Sequence, residues 1–227
     1  KAEYPINMNR YDGVTPEAII RTINDMYSNL IITTDVGQNQ LWTTQYIDID
    51  ENKQLLTSGG LGTMGYGFPA AIGAKIGNMD KDVICISGDG GVQMNIQEMA
   101  TAVALELPVT LCILNNGYLG NVRQWQELFF NKRYSSTCLR YRKRCNRDCQ
   151  NPDKCCPKYS PDFVKLAESY DAKGIRVTKL EEIRPAFEAA RANTNGPTVI
   201  EFFIDPTANV FPMVPGGKSL NDMILDC

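Results

Sequence analysis

An aspartate between two glycines, and an asparagine that closes a later apolar run, are the residues of this sequence best suited to chemistry. Asp89 sits in Ile86-Ser87-Gly88-Asp89-Gly90-Gly91, directly after the apolar run 83–86. Asn116 follows the run 109–114, in Asn115-Asn116-Gly117-Tyr118. A carboxylate and an amide oxygen are hard donors of the kind Mg²⁺ takes together with phosphate oxygens and water. The carbonyl of Tyr118, two residues on, is within reach of the same ion. Gly88 and Gly90 let the turn tighten and let backbone approach a phosphate closely. Either turn alone is common loop chemistry. Their pairing around one helix-length segment, 92–107, points further. In a parallel βαβ unit both turns fall at the carboxyl ends of the strands, the edge where open α/β sheets bind ligands. A helix following Asp89 would also aim its positive amino end at an anion.

The elements that must position this pair can be read along the chain. Thr15-Pro16-Glu17 is an N-cap, an N1 proline and an acidic first turn, opening a helix to about Ser28. A strand is expected over 30–35, followed by a loop at 36–40. The stretch from Thr57 to Gly67 holds five glycines, a loop where backbone must come close to something, and it feeds a small-residue helix over 69–76. Beyond the central βαβ unit, a helix is expected over 119–130. Ser160-Pro161-Asp162 repeats the cap signature for a helix to about Tyr170, and Thr178-Lys179-Leu180-Glu181 reads as a capping box for a helix to about Ala192. Strands are expected at 174–177 and 197–204. This alternation predicts a single α/β domain: a doubly wound, mainly parallel sheet of five to six strands with helices on both faces.

Composition narrows the chemistry. The 227 residues contain no histidine, which removes histidine bases, histidine metal ligands and the common hydrolytic triads. A net charge of −3 argues against a nucleic-acid partner. The apolar runs are too short to span a membrane, no secretory leader is evident, and a cytoplasmic location is expected. The chain opens at Lys1 without methionine and reads as a processed or excised segment.

Several motifs agree in order and spacing with one family. Gly88-Asp89-Gly90 with Asn115-Asn116 resembles the diphosphate-binding motif of thiamine diphosphate enzymes. Thr57-Ser58-Gly59-Gly60-Leu61-Gly62-Thr63-Met64-Gly65-Tyr66-Gly67, Gln93-Met94-Asn95-Ile96-Gln97-Glu98, Val122-Arg123-Gln124-Trp125-Gln126-Glu127 and Val210-Phe211-Pro212-Met213-Val214-Pro215 are similar to the acetolactate synthase large subunit. The likeness covers about residues 1–137 and 159–225. It implies thiamine diphosphate and Mg²⁺ as cofactors, with Asp89, Asn116 and the Tyr118 carbonyl on the metal. Gln38 and Asn39 would touch the diphosphate, Asn39 standing where the family usually has histidine. Gly62, Gly88, Gly90, Gly91, Leu119 and Gly120 would complete the cofactor's surroundings, and Met64 would support its bent shape. Val122 and Trp125 would line a pocket for the second ketoacid, with Asn121 replacing the family's usual methionine.

The resemblance also implies what this chain lacks. The activating glutamate belongs to a pyrimidine-binding domain, normally on a partner subunit, and FAD binds a middle domain, so neither is expected here. The chain therefore reads as the carboxyl-terminal cofactor domain of a longer polypeptide. That polypeptide would decarboxylate pyruvate and condense it with a second 2-ketoacid, pyruvate or 2-ketobutyrate, in branched-chain amino acid biosynthesis. It would act as a homodimer or higher oligomer, with a regulatory small subunit as a further partner. Alternatives are another thiamine diphosphate carboligase or decarboxylase, and a non-catalytic cofactor-binding subunit.

One segment departs from the pattern. Of eight cysteines, Cys85 and Cys112 fall in apolar strand runs, whereas Cys138, Cys145, Cys149, Cys155 and Cys156 crowd into an insertion at about 138–159. Cys145, Cys149, Cys155 and Cys156 could hold zinc or an iron–sulfur cluster, form a local disulfide, or lie in a reduced surface loop.

Overall fold

In a computed structural model, the structure describes residues 13–140 and 160–225. The metal-binding reading of Cys145, Cys149, Cys155 and Cys156 lies outside these residues. Six strands form one sheet, β1 (Leu30–Thr34), β2 (Lys53–Thr57), β3 (Asp82–Gly88), β4 (Val109–Asn115), β5 (Lys173–Val177) and β6 (Thr198–Phe203), in the order β2-β1-β3-β4-β6-β5. Every pairing is parallel. The central strand β4 is buried along its whole length, as a strand covered on both faces should be.

Alternation along the strands sorts side chains onto two cores. Ile84 and Ile86 of β3 face one cluster, with helices α1 (Pro16–Met26), α2 (Gln38–Tyr46) and, near the carboxyl end, α8 (Ile183–Arg191). Val83 and Cys85 face the other, with α3 (Gly67–Gly77), α5 (Glu98–Ala104) and α7 (Phe163–Ser169). Helices therefore cover both faces, as expected. A fourth class of element, α6 (Gly120–Phe129), contributes to neither cluster and lies at the carboxyl edge of the sheet.

The caps mostly follow the sequence. Thr15 Oγ1 accepts from Ala18 N at 3.2 Å, with Pro16 at the first helical position. The cap of α7 is Asp162, whose Oδ1 accepts from Lys165 N at 3.2 Å, so the helix starts later than Ser160-Pro161 suggests. Before α8 the box caps a 3₁₀ turn, Leu180–Glu182, and its reciprocal carboxylate is Glu182 rather than Glu181, accepting from Thr178 N at 2.8 Å and Lys179 N at 3.1 Å.

Three differences bear on the site. The expected loop at 36–40 gives way at residue 38 to α2, entered through Gly37 at φ 126° without a side-chain cap. A strand absent from the expected set, β2, forms the sheet edge with an alternating burial pattern. The helix expected over 92–107 is broken into a single turn, α4 (Asp89–Val92), and α5. With only one turn behind Asp89, the helix dipole adds little there. Among the described residues no helix is long and apolar enough to cross a membrane.

Candidate functional site

The strand order fixes where a site can form. From β1 the chain moves outward to β2, then crosses back to β3 on the other side, so β1 and β3 are neighbours whose connections leave in opposite directions. Such a switch point opens a crevice beyond the carboxyl ends of the two strands. Here the crevice is a cavity of about 160 Å³. One wall is the β1–α2 junction with Gln38 and Asn39; the opposite wall is the turn from Gly88 to Gly91. Asn116, Tyr118, Leu119 and Gly120, after β4, close the third side, while Met64 enters from the glycine-rich loop. Val122 and Trp125 of α6 reach the same cavity and remain 39% and 44% exposed, which places them at its mouth.

Asp89 is 2% exposed. Its Oδ2 accepts from Gly117 N at 3.1 Å, which ties the two turns of the sequence motif together directly. Burial pushes the carboxyl up to about 7, opposed by backbone N–H groups of Asp89, Gly117 and Asn116 and by the charge of Arg140. Burial thus favours the protonated form, and a divalent ion bound there would replace the proton. Asn116 Oδ1 accepts from Tyr118 N at 2.9 Å, an Asx-turn that keeps a second lone pair of the oxygen available. Gly117, at φ 73°, holds the turn in the left-handed region.

The glycine-rich loop is pinned by a residue outside the expected site. Asp35, 1% exposed at the end of β1, accepts from Gly65 N at 3.0 Å and Gly67 N at 3.2 Å. It also lies beneath Gly91, where a Cβ would collide with its Oδ1. One carboxylate thus joins the end of β1, the loop carrying Met64 and the turn carrying Asp89. Its only sequence signal was its place at a strand end.

The remaining expected residues fall as follows. Gly62 is exposed, at φ 63° in the turn that donates its N–H to Ser58 O at 3.2 Å, and does not line the cavity. Gln38 lines the cavity, but both ends of its side-chain amide are engaged inside the protein, with Gln124, Ala208 and Asn116. This narrows its expected contact with diphosphate to the backbone. Asn39 Nδ2 donates to Val36 O at 3.2 Å, and its Oδ1 is buried without a partner. Trp42, 1% exposed and unforeseen, also lines the cavity, and its indole N–H is likewise buried and unpartnered.

These features fit a divalent cation holding an anionic group. The donors are hard oxygens, two residues that line the cavity, Asn39 and Trp42, each hold a buried polar atom without a partner, and the turn 88–91 carries glycine at three of its four positions. A Cβ on Gly90 would lie 3.0 Å from Leu119 Cδ2, so that space is already tight. No group of three or more potential metal-ligating acids, cysteines or histidines occurs among the described residues, so here a single carboxylate would act with amide and carbonyl oxygens. Cys138 is a free, half-buried thiol opposite Tyr118 in an antiparallel bridge, so the insertion begins against the floor of the site.

Residues 35–202 match the family described as thiamine pyrophosphate enzyme, C-terminal TPP binding domain. The acetolactate synthase large subunit of Corynebacterium glutamicum is 42% identical over 226 residues, covering 98% of this chain and 34% of that protein. A probable acetolactate synthase large subunit of Methanococcus aeolicus is 44% identical over 207 residues, covering 91% and 31%. The acetolactate synthase isozyme 2 large subunit of Escherichia coli K12 is 36% identical over 214 residues, covering 94% and 36%. The chain spans about a third of the length of these relatives.

Proposed function

The chain belongs to the family of thiamine pyrophosphate enzyme C-terminal TPP binding domains, and from that premise we propose that it is the diphosphate-binding part of an acetolactate synthase large subunit. The observation that carries this reading is the hydrogen bond from Gly117 N to Asp89 Oδ2, which joins two distant turns into one oxygen-donor site at the switch point. Asp89, Asn116 and the carbonyl of Tyr118 would hold Mg²⁺, and the glycine turn 88–91 would receive the diphosphate.

When bound, thiamine diphosphate supplies the reactive carbon at which a 2-ketoacid is decarboxylated and joined to a second one. Residues of this chain would anchor and shape that cofactor. Met64, held in place through Asp35 and the Gly65–Gly67 backbone, would pack beneath its bend. Trp125 and Val122, at the cavity mouth, would contact the side chain of the acceptor ketoacid. An extra methylene in such a pocket is worth about 1–3 kcal/mol, enough to favour 2-ketobutyrate over pyruvate. The activating glutamate, the FAD site, the oligomeric partner and a regulatory small subunit would come from outside this chain, in a cytoplasmic enzyme of branched-chain amino acid synthesis. By itself the chain is expected to form no acetolactate from pyruvate.

Calorimetric titration with thiamine diphosphate and Mg²⁺ tests the assignment. Weak, Mg²⁺-dependent binding is expected, and Asp89→Ala should abolish it. Tight binding that ignores that substitution would refute the role given to Asp89.

A further inference from the structure

Two side-chain amides that line the cavity, those of Asn116 and Gln38, continue into a third behind it, that of Gln124, and none is free to turn over. The series begins on backbone. Val210 N donates to Gln124 Oε1 at 2.8 Å, and Val210 O accepts from Gln124 Nε2 at 2.8 Å. A backbone N–H only donates and a carbonyl only accepts, so these two groups decide which end of Gln124 is oxygen. Gln124 Oε1 then accepts from Gln38 Nε2 at 2.9 Å, and Ala208 O accepts from the same nitrogen at 2.9 Å. Both partners are acceptors, so Gln38 must offer them nitrogen and turn its oxygen the other way. That oxygen accepts from Asn116 Nδ2 at 3.2 Å.

We propose that Gln38 and Gln124 are positioning residues that orient Asn116, so that its amide oxygen, and not its nitrogen, is presented to the cation. The proposal rests on the reading of Asp89 and Asn116 as metal ligands. A reversed Asn116 would direct an NH₂ group at the ion, which cannot bind it. The Asx-turn to Tyr118 N favours the same sense, and Gln38 secures the other end of the amide. Gln38 and Gln124 are 3% and 1% exposed, so bulk water does not compete for these bonds. Gly120 has a part in the arrangement. A Cβ there would collide with Gln38 Oε1 and lie 2.7 Å from Asn116 Nδ2, so the two amides meet only because position 120 has no side chain. The backbone at 208–210 is the fixed end of the relay, which makes that distant segment part of the metal site.

The test is a double-mutant cycle on the intact protein. Mg²⁺ is titrated calorimetrically at one fixed, high concentration of thiamine diphosphate into the unaltered protein, Gln38→Met, Asn116→Asp and the double variant. Aspartate carries oxygen on both sides and needs no orienting. Gln38→Met is expected to weaken Mg²⁺ by about tenfold or more, the range typical for groups that orient a metal ligand. In the Asn116→Asp background the loss should fall below about twofold. Equal losses in both backgrounds would assign Gln38 to the fold alone and overturn the proposal, as would no loss in Gln38→Met. Should Gln38→Met not fold, Gln124→Met takes its place in the same cycle. Asp89→Ala separates the two claims. Mg²⁺ dependence that survives Asp89→Ala sinks the reading of the site, whereas its loss alongside a silent Gln38→Met sinks only the relay.

Discussion

Asp89 is a buried acid whose protonation depends on the fold. Its folded-state value of about 7 lies above the 3.8 of an unperturbed carboxyl, with burial as the cause. A group raised on folding contributes stability that is complete below the unfolded value and is lost as pH rises through the folded one. The metal-free chain should therefore lose stability between about pH 4 and pH 7. At about 1.4 kcal/mol per pKa unit the loss is bounded at about 4 kcal/mol. Asp89→Asn should remove this slope, as read from urea midpoints across that range. An unchanged slope in the variant would place the titration elsewhere. At this scale the sequence was partly legible. Gly-Asp-Gly and Asn-Asn declared themselves because turn residues carry local signals. The Gln38–Gln124 contact joins positions 86 residues apart and leaves no local trace, so the inward turn of Gln38 emerges only in three dimensions. The unsatisfied atoms of Asn39 and Trp42 were invisible for the same reason.

Among elements, the glycine-rich loop is tied to the end of β1 through one carboxylate that takes several of its backbone amides. Asp35 accepts from Val36 N at 2.8 Å as well as from the Gly65 and Gly67 amides. Hydrogen bonds to a charged group are worth about 1.5–3 kcal/mol each when broken on one side only. Asp35→Ala should cost about 3 kcal/mol or more by urea denaturation. It should also raise hydrogen exchange at Gly65 and Gly67 ahead of the sheet. Protection that falls evenly across the sheet would contradict a local role. The strands and most helices could be read from apolar runs and caps. The segment 38–46 could not, since Gln, Asn and Thr dominate it and its helix buries polar Gln38, Asn39 and Thr43 beside Trp42 and Tyr46. Edge strand β2 carries only two apolar residues. The break between α4 and α5 falls at Gln93–Gln97, where Asn95 Nδ2 donates to Gly65 O at 2.9 Å, a tertiary bond that overrides continued helix.

For the whole molecule, the sheet separates two cores that share every central strand. Phe202 is fully buried on the α1–α2–α8 side, 5.8 Å from the ring of Phe187, which stacks edge-on to Tyr27 at 6.1 Å. Phe202→Ala should cost about 3–5 kcal/mol. The loss should be equal by circular dichroism and by Trp42 emission, followed in a Trp125→Phe background, because Trp42 lies in the same core. Transitions that separate by probe would show the two faces unfolding independently. The switch point between β1 and β3 has one more consequence, for the order of events in time. Its walls come from residues near 38, 64, 89 and 116, brought together only by parallel pairings that close long loops. Such pairings are slow to form. The cavity is expected to be completed only after the folding transition state. Thiamine diphosphate with Mg²⁺ should leave the refolding rate unchanged and slow unfolding alone, so that in stopped-flow denaturant jumps only the unfolding limb moves.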